Sequence, residues 1–310
     1  MSYFIITVDT EGDNQWDTSN GISTKNVAFL PRFQDLCEKY GFKPVWLTNY
    51  EMANDDNYVN FFKRKQNENK CEIGMHLHAW YTPPHYNLNR VTDYRDYLIE
   101  YPLDIMNAKI DTMTKLLTTK FEEQPISHRS GRWAMNDAYF KMLVDFGYRV
   151  DCSVTPHISW EKNLGATGIG GTNYTNYPEL PYFTKENILE VPVSIRKMNF
   201  IDYKRIHGIY SGLKEIKHAV EGKMQWLRFL DTESEYGVCK LTDKIINEAN
   251  DAMFMIHSSE LMPGGSPIFS DEQAIEQLYL SMDIIFRRFA ENNYRGCTLK
   301  EYYKNKISKE

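Results

Sequence analysis

The sequence has no apolar run long enough to cross a bilayer. Its N-terminus, "MSYFIITVDTEGD", lacks a basic leader and turns acidic after six mainly apolar residues, far short of a signal peptide or of the roughly 20 residues a spanning helix needs. The chain is therefore expected to stay in the cytoplasm, without stable membrane insertion. Cysteine is scarce. Cys37, Cys71, Cys152, Cys239 and Cys297 form no CxxC pair, and their odd number argues against a disulfide framework. Positive charge is short as well: 36 Lys and Arg stand against 42 Asp and Glu, a net charge of −6, which speaks against a non-specific nucleic-acid or anionic-membrane surface. Neither an internal repeat nor a Pro/Ser-rich linker divides the 310 residues. They are read as one domain, residues 1–310, of a size that α/β barrels reach.

What is present is an alternation of strand-like and helix-like segments, which favours parallel pairing with helical crossovers. "YFIITV" (3–8), "KPVWLT", "CEIGMHLH", "PISHR", "YRVDCSV", "ILEVPVS" and "DAMFMIH" read as strands. Helices are expected over about 26–40, closed by Gly41 in a left-handed cap, over "LDIMNAKIDTMTKLLTTKFE", over about 136–146, and over "DEQAIEQLYLSMDIIFRRFAENN", where Ser270 and Gln273 suggest a capping box. "GCTLKEYYKNK" reads as a last short strand and a polar tail. Residues 160–185 have no period and carry several Gly, Asn and Pro; they read as an insertion over one barrel mouth. The 21 tyrosines are weak support for a carbohydrate site, because Tyr and Trp stack on sugar rings.

Parallel barrels carry their chemistry where strands end, and polar residues gather there: Asp9, Glu11 and Asp13 after the first strand, His76 and His78 after the third, then Arg129 and Arg132, Asp151, and His257 with Glu260. Residues i and i+2 of a strand share a face, so His76 and His78 aim at one point, a geometry that suits a metal ion. A catalytic divalent ion needs three protein ligands and an open position. One of the first-strand carboxylates would ligate while the other acts on bound water. Zinc fits a mixed nitrogen and oxygen set best, although cobalt, iron or manganese can use it. His85, His128, His157, His207 and His218 read as structural or surface residues, with the His128 side chain on the face opposite Arg129. Glu260 reads equally as a sugar-hydroxyl partner or an exposed loop residue.

"TVDTEGD", "EIGMHLHAW", "SHRSGRW", "VDCSVTP" and "MFMIHSSEL" resemble, in order and rough spacing, the five motifs of the polysaccharide deacetylase superfamily, the carbohydrate esterase family 4 barrels, in a divergent branch associated with surface-polysaccharide synthesis. The resemblance implies a deformed (β/α)7 barrel, a divalent metal, most often Zn2+, and removal of acetyl groups from an N-acetylated sugar or polysaccharide precursor. It makes Asp9 the general base, Glu11 (or Asp13) and His76 metal ligands, Arg129 the residue that positions the base, Asp151 the carboxylate that orients the acid, and His257 the general acid. Two positions depart from the pattern. Trp80 stands where the second metal histidine is usual, so His78 takes that role, and motif one reads Asp-Thr-Glu. An amidase or imidase acting on a small cyclic amide, or an inactive carbohydrate-binding barrel, are the alternatives. Oligomeric state is left open.

Overall fold

The computed structural model describes residues 2–13, 15 and 21–308. Its frame is a curled, largely parallel sheet. β1 (Tyr3–Thr10) lies beside β10 (Ala252–His257) on one side and β2 (Val45–Thr48) on the other, followed by β3 (Glu72–Leu77), β4 (Ser127–Ser130), β5 (Val150–Asp151) and β7 (Leu189–Glu190). These seven pair in parallel, as the expected (β/α)7 architecture requires. β6 (Tyr182–Phe183) pairs antiparallel with β7, and β11 (Arg295–Gly296) joins the start of β1.

Among the described residues, no ladder joins β7 to β10. An irregular seam does so: Val193 N donates to Val154 O, Ser194 N to Met253 O, Leu227 N to Ser194 O and Met255 N to Leu227 O. β8 (Ile195–Met198) and β9 (Lys223–Trp226) run outward from this seam as an antiparallel pair.

Strand residues alternate between two cores. Phe4, Ile6, Val8, Ile73, Met75 and Leu77 pack outward against the helices. Ile5, Val45, Leu47, Val150, Cys152, Met253 and Met255 fill the barrel interior. Covering the outer face are α1 (Leu30–Lys39), α3 (Asp56–Asn67), α4 (Leu103–Phe121), α5 (Asp137–Asp145), α7 (Glu235–Asn247) and α8 (Glu272–Glu291). The one-turn α2 (Tyr50–Ala53) follows β2, and α6 (Ile209–Glu221) links β8 to β9.

Local chemistry explains where boundaries differ from the sequence reading. The first helix begins as a 3-10 turn over Lys25–Phe29 and becomes α-helical at Leu30, next to Pro31, which has no N–H to lose in a first turn. Gly41 adopts the left-handed φ of +72° expected of it. α8 is capped by Asp271, whose carboxylate accepts from Ala274 N, and not by Ser270. The expected polar tail is instead α9 (Leu299–Ile307), opened by a Thr298–Glu301 capping box. Its Leu299 and Tyr302 plug the barrel floor, and its Lys300 N donates to Glu72 Oε2 at 2.7 Å. Residues 160–185 form turns tied by isolated bridges, Ser159 to Asn173 and Leu164 to Gly170, with β6 at their end.

Candidate metal centre and active site

The interior face of the strands converges on one end of the barrel. His76 lies beside Arg129 in the β3–β4 register and Asp9 beside His257 in the β1–β10 register, so four polar side chains from four strands share a face. Glu11 follows just beyond β1. Its main chain is clamped: Ser258 Oγ accepts from Glu11 N and donates to Glu11 O, and Asn26 Nδ2 donates to the same carbonyl. The Glu11 carboxylate thus projects between the two histidines, with Oε2 3.2 Å from His78 Nε2 and 3.8 Å from His76 Nε2.

The ligating atoms of Glu11, His76 and His78 lie within 4.8 Å of one another, and all three residues are buried. His76 Nδ1 donates to Arg129 O at 3.0 Å, so its Nε2 carries the free lone pair, as in the backbone-anchored imidazoles of metal sites. Burial, opposed only partly by Asp9 and Glu11, brings the His76 pKa down to about 4; burial, opposed by Glu51 and Asp9, does the same to His78. Both rings are therefore neutral near pH 7, the form that binds a metal. Glu11 is pushed upward, first by burial and then by Asp9 and Glu260, against the pull of His257 and His76. Among the described residues, Asp9 is paired with Arg129 and Glu260 with Arg228, whereas Glu11 faces the two neutral imidazoles, so a cation bound there would meet an unneutralised carboxylate. Donor types, protonation and charge all fit a divalent cation. Asp13 lies elsewhere, accepting from Ser23 Oγ.

Asp9 pairs with Arg129, Nη1 to Oδ1 at 2.5 Å, while Arg129 also donates to Cys152 O and Thr7 Oγ1. Burial alone would raise the Asp9 pKa, but Arg129, His76 and His257 together hold it well below the usual carboxylate range. Across from it, His257 Nε2 lies 3.8 Å from Asp9 Oδ2, and its Nδ1 meets Arg228 Nη2 at 2.8 Å and Glu260 Oε1 at 3.5 Å. Burial and Arg228 push the His257 pKa down, Glu260 and Glu11 push it up, and the carboxylates prevail. When the ring is neutral, Nδ1 accepts from Arg228, so Nε2 keeps its proton. That nitrogen is protonated in both charge states.

Asp151 does not take the place expected of it. In register it stands beside His128, and the two share the outward face, where Asp151 Oδ1 lies 2.6 Å from His128 Nδ1 and accepts from Ser153 Oγ. Its interior-facing neighbour is Cys152. His257 is contacted instead by Glu260, fully buried and paired with Arg228 Nη2 at 2.6 Å, and by Arg228 itself. Arg228 has no strand motif to announce it. Glu260 does have a local signal, since His257 and Glu260 form a capping box around a 3-10 turn over Ser258–Leu261.

Above these groups opens a cavity of about 370 Å³, walled by Trp80, Tyr97, Trp133 and Trp160, with Arg95, Arg132 and Asn163 at its rim. The 160–185 insertion therefore does reach the mouth. Trp80 stacks on His78, with ring centroids 4.3 Å apart, and so supports that imidazole. Lys109 on α4 holds the loop that carries Trp80, donating to Ala79 O, Thr82 O and Pro84 O. Arg132 and Trp133 both adopt left-handed φ, 55° and 64°, a costly pair for non-glycine residues. Arg132 donates to Arg95 O and Leu164 O, and Tyr174 Oη donates to Trp133 O, which keeps them there. Gly131 precedes them because a Cβ would sit 2.5 Å from Leu77 O and 2.8 Å from His78 Cδ2.

In fold, the chain is similar to the polysaccharide deacetylases. A Mycobacterium smegmatis protein assigned to them superposes with a TM-score of 0.55 at 11% identity, over 100% of this chain and 92% of that one. A family 4 acetyl xylan esterase from Clostridium thermocellum in complex with a cobalt ion gives 0.46 at 13%, over 98% and 92%. A CE4 family pseudoenzyme from Bacillus anthracis gives 0.46 at 10%, over 97% and 65%. No family model and no curated protein matches the sequence. At these identities the likeness is one of fold, and any chemistry has to come from the side chains.

Proposed function

We propose that the chain is a divalent-metal-dependent hydrolase that removes the acetyl group from an N-acetylated sugar, a precursor of a surface polysaccharide. The observation that carries this reading is the convergence of Glu11 with two neutral imidazoles, His76 anchored on the Arg129 carbonyl and His78 stacked on Trp80, beside an Asp–Arg pair and His257, whose Nε2 carries a proton. Glu11, His76 and His78 would hold the ion, with Zn2+ the best match to two nitrogens and one oxygen; such an ion polarises a carbonyl and acidifies water. Asp9, ionised throughout the working range, accepts the proton that water gives up. Held so low by Arg129, it is a weak base, which is why the water itself has to be made acidic. His257 gives its Nε2 proton to the departing amine, a group that leaves poorly as an anion. Trp80, Tyr97, Trp133 and Trp160 offer faces on which a sugar ring can stack. Five free cysteines, four of them buried, suit a reducing, cytoplasmic compartment.

One observation favours a metal-free carbohydrate-binding barrel instead: His78 Nε2 and His76 Nε2 lie 3.0 Å apart and can satisfy each other with a single hydrogen bond. Anomalous scattering at the zinc edge, together with acetate release from a panel of N-acetylated sugars, decides between the two. A peak coordinated by Glu11, His76 and His78 with acetate release supports the hydrolase. Crystals grown with ample zinc that show no peak there, and no activity with zinc or cobalt, would establish the binder.

A further inference from the structure

α6 is built inside out. A surface helix ordinarily turns its apolar stripe to the core, yet Glu215 is the one buried residue of this helix. Glu215 anchors it by polar contacts: Oε2 accepts from Asp202 N at 3.0 Å and faces Lys223 Nζ at 3.6 Å, and Oε1 lies 3.2 Å from His218 Nδ1. The apolar residues Ile209, Leu213, Ile216 and Val220 fall at intervals of four, three and four, which puts them in one narrow stripe. That stripe faces solvent, with exposures of 87%, 61%, 54% and 77%. Tyr203, in the turn before the helix, and Tyr210, to one side of the stripe, are exposed too.

The segment that carries the stripe is opposite in charge to the chain, although Glu235, Asp231 and Glu233 of the following loop and helix pair with its Lys204, Arg205 and His207. Residues 196–224 hold seven Lys and Arg against three Asp and Glu, a local +4 inside a protein of −6. Lys214 and Lys217, each next in sequence to a stripe residue, are exposed, with Lys217 Nζ 3.7 Å from Glu221 Oε2 one turn on. An apolar stripe flanked by lysines, with exposed tyrosines near its N-terminal end, is the chemistry of a helix that lies in a membrane interface. A second copy of the chain fits less well, because pairing two α6 stripes would bring the lysines of one against those of the other. The whole-chain acidity that argues against an anionic membrane surface does not describe this face.

We propose that α6 docks the protein peripherally on a bilayer containing anionic lipid, its Ile209–Val220 stripe entering the interface and Lys214 and Lys217 meeting the lipid charge. The inference is independent of the hydrolytic reading. It is tested by co-sedimenting the full-length protein with vesicles of phosphatidylcholine alone or mixed with phosphatidylglycerol, alongside sedimentation velocity without lipid. Binding to the mixed vesicles is expected, weaker on phosphatidylcholine and falling as salt is raised. Leu213→Ser combined with Ile216→Ser should lower it by about tenfold or more. Lys214→Gln combined with Lys217→Gln should lower it by about tenfold on the mixed vesicles alone. Both variants change exposed residues and should melt like the wild type. Absence of vesicle binding, equal binding to both vesicle types, or binding that neither variant alters would overturn the proposal. A lipid-free dimer that the serine variant dissociates, without vesicle binding, would assign the stripe to a second copy.

Discussion

Replacing Glu260 by Gln tests how the acid is arranged. The substitution keeps shape and the acceptor for His257 N but removes the charge facing His257 and Arg228. Arg228 and His257, overcoming burial, hold the Glu260 carboxyl at about 2 against an ordinary 4.5, equivalent to about 3 kcal/mol of native stability. Removing one partner of a buried ion pair costs about 3–5 kcal/mol, so the two routes agree. Because this pKa is depressed, the contribution is complete above pH 4.5 and is lost as pH falls towards 2; the variant should be weaker than the wild type at neutral pH and converge with it in acid, as urea unfolding at several pH values would show. The same change should act on catalysis. Glu260 is the strongest influence raising the His257 pKa, and a general acid works only while protonated, so activity is lost as pH rises through that pKa. In the variant the alkaline limb of kcat/KM should move down by about one pH unit or more. Asp151→Asn, which disturbs the His128 pair on the other face, should cost stability and leave the limb where it is. If the limb stays fixed in Glu260→Gln and moves in Asp151→Asn, the assignment of Glu260 and Arg228 as the groups that orient the acid is wrong.

His76→Ala should abolish stoichiometric metal content measured by mass spectrometry, whereas Asp9→Asn should retain the metal and lower kcat by about 10²–10⁴-fold. Metal uptake should weaken in acid first through Glu11, whose carboxyl is pushed upward by burial, because both imidazoles stay neutral down to about 4; isothermal titration of the wild type and Glu11→Gln across pH 4–7 checks this, and the same pH profile in both proteins would contradict it. Gly131→Ala should cost about 1–3 kcal/mol and weaken metal binding, since the new Cβ drives against Leu77 O and the His78 ring; thermal melting with and without zinc separates the two effects. Lys109→Met should lower stability by about 3 kcal/mol in urea, as three carbonyls lose a charged donor.

The parallel strands and the polar ends of four of them were legible because β1, β3 and β10 are long enough to show their phase: Asp9, His76 and His257 all follow from alternation. β5 is only two residues, and nothing in "YRVDCSV" says whether Asp151 or Cys152 looks inward; the β4–β5 register decides it. Arg228 was hidden for a different reason. It follows β9 in a seam whose hydrogen bonds are irregular, so neither period nor strand end marks it. The stripe of α6 was invisible too, since a spacing of four, three and four looks the same whether the helix turns it towards a core or towards water.

Leu299 and Tyr302 close the floor of the barrel, opposite the cavity walled by Trp80 and Trp160. A ligand that enters past those two rings shares their mouth with one that leaves. For the hydrolase proposed above, a product that lingers there would obstruct its successor and slow release.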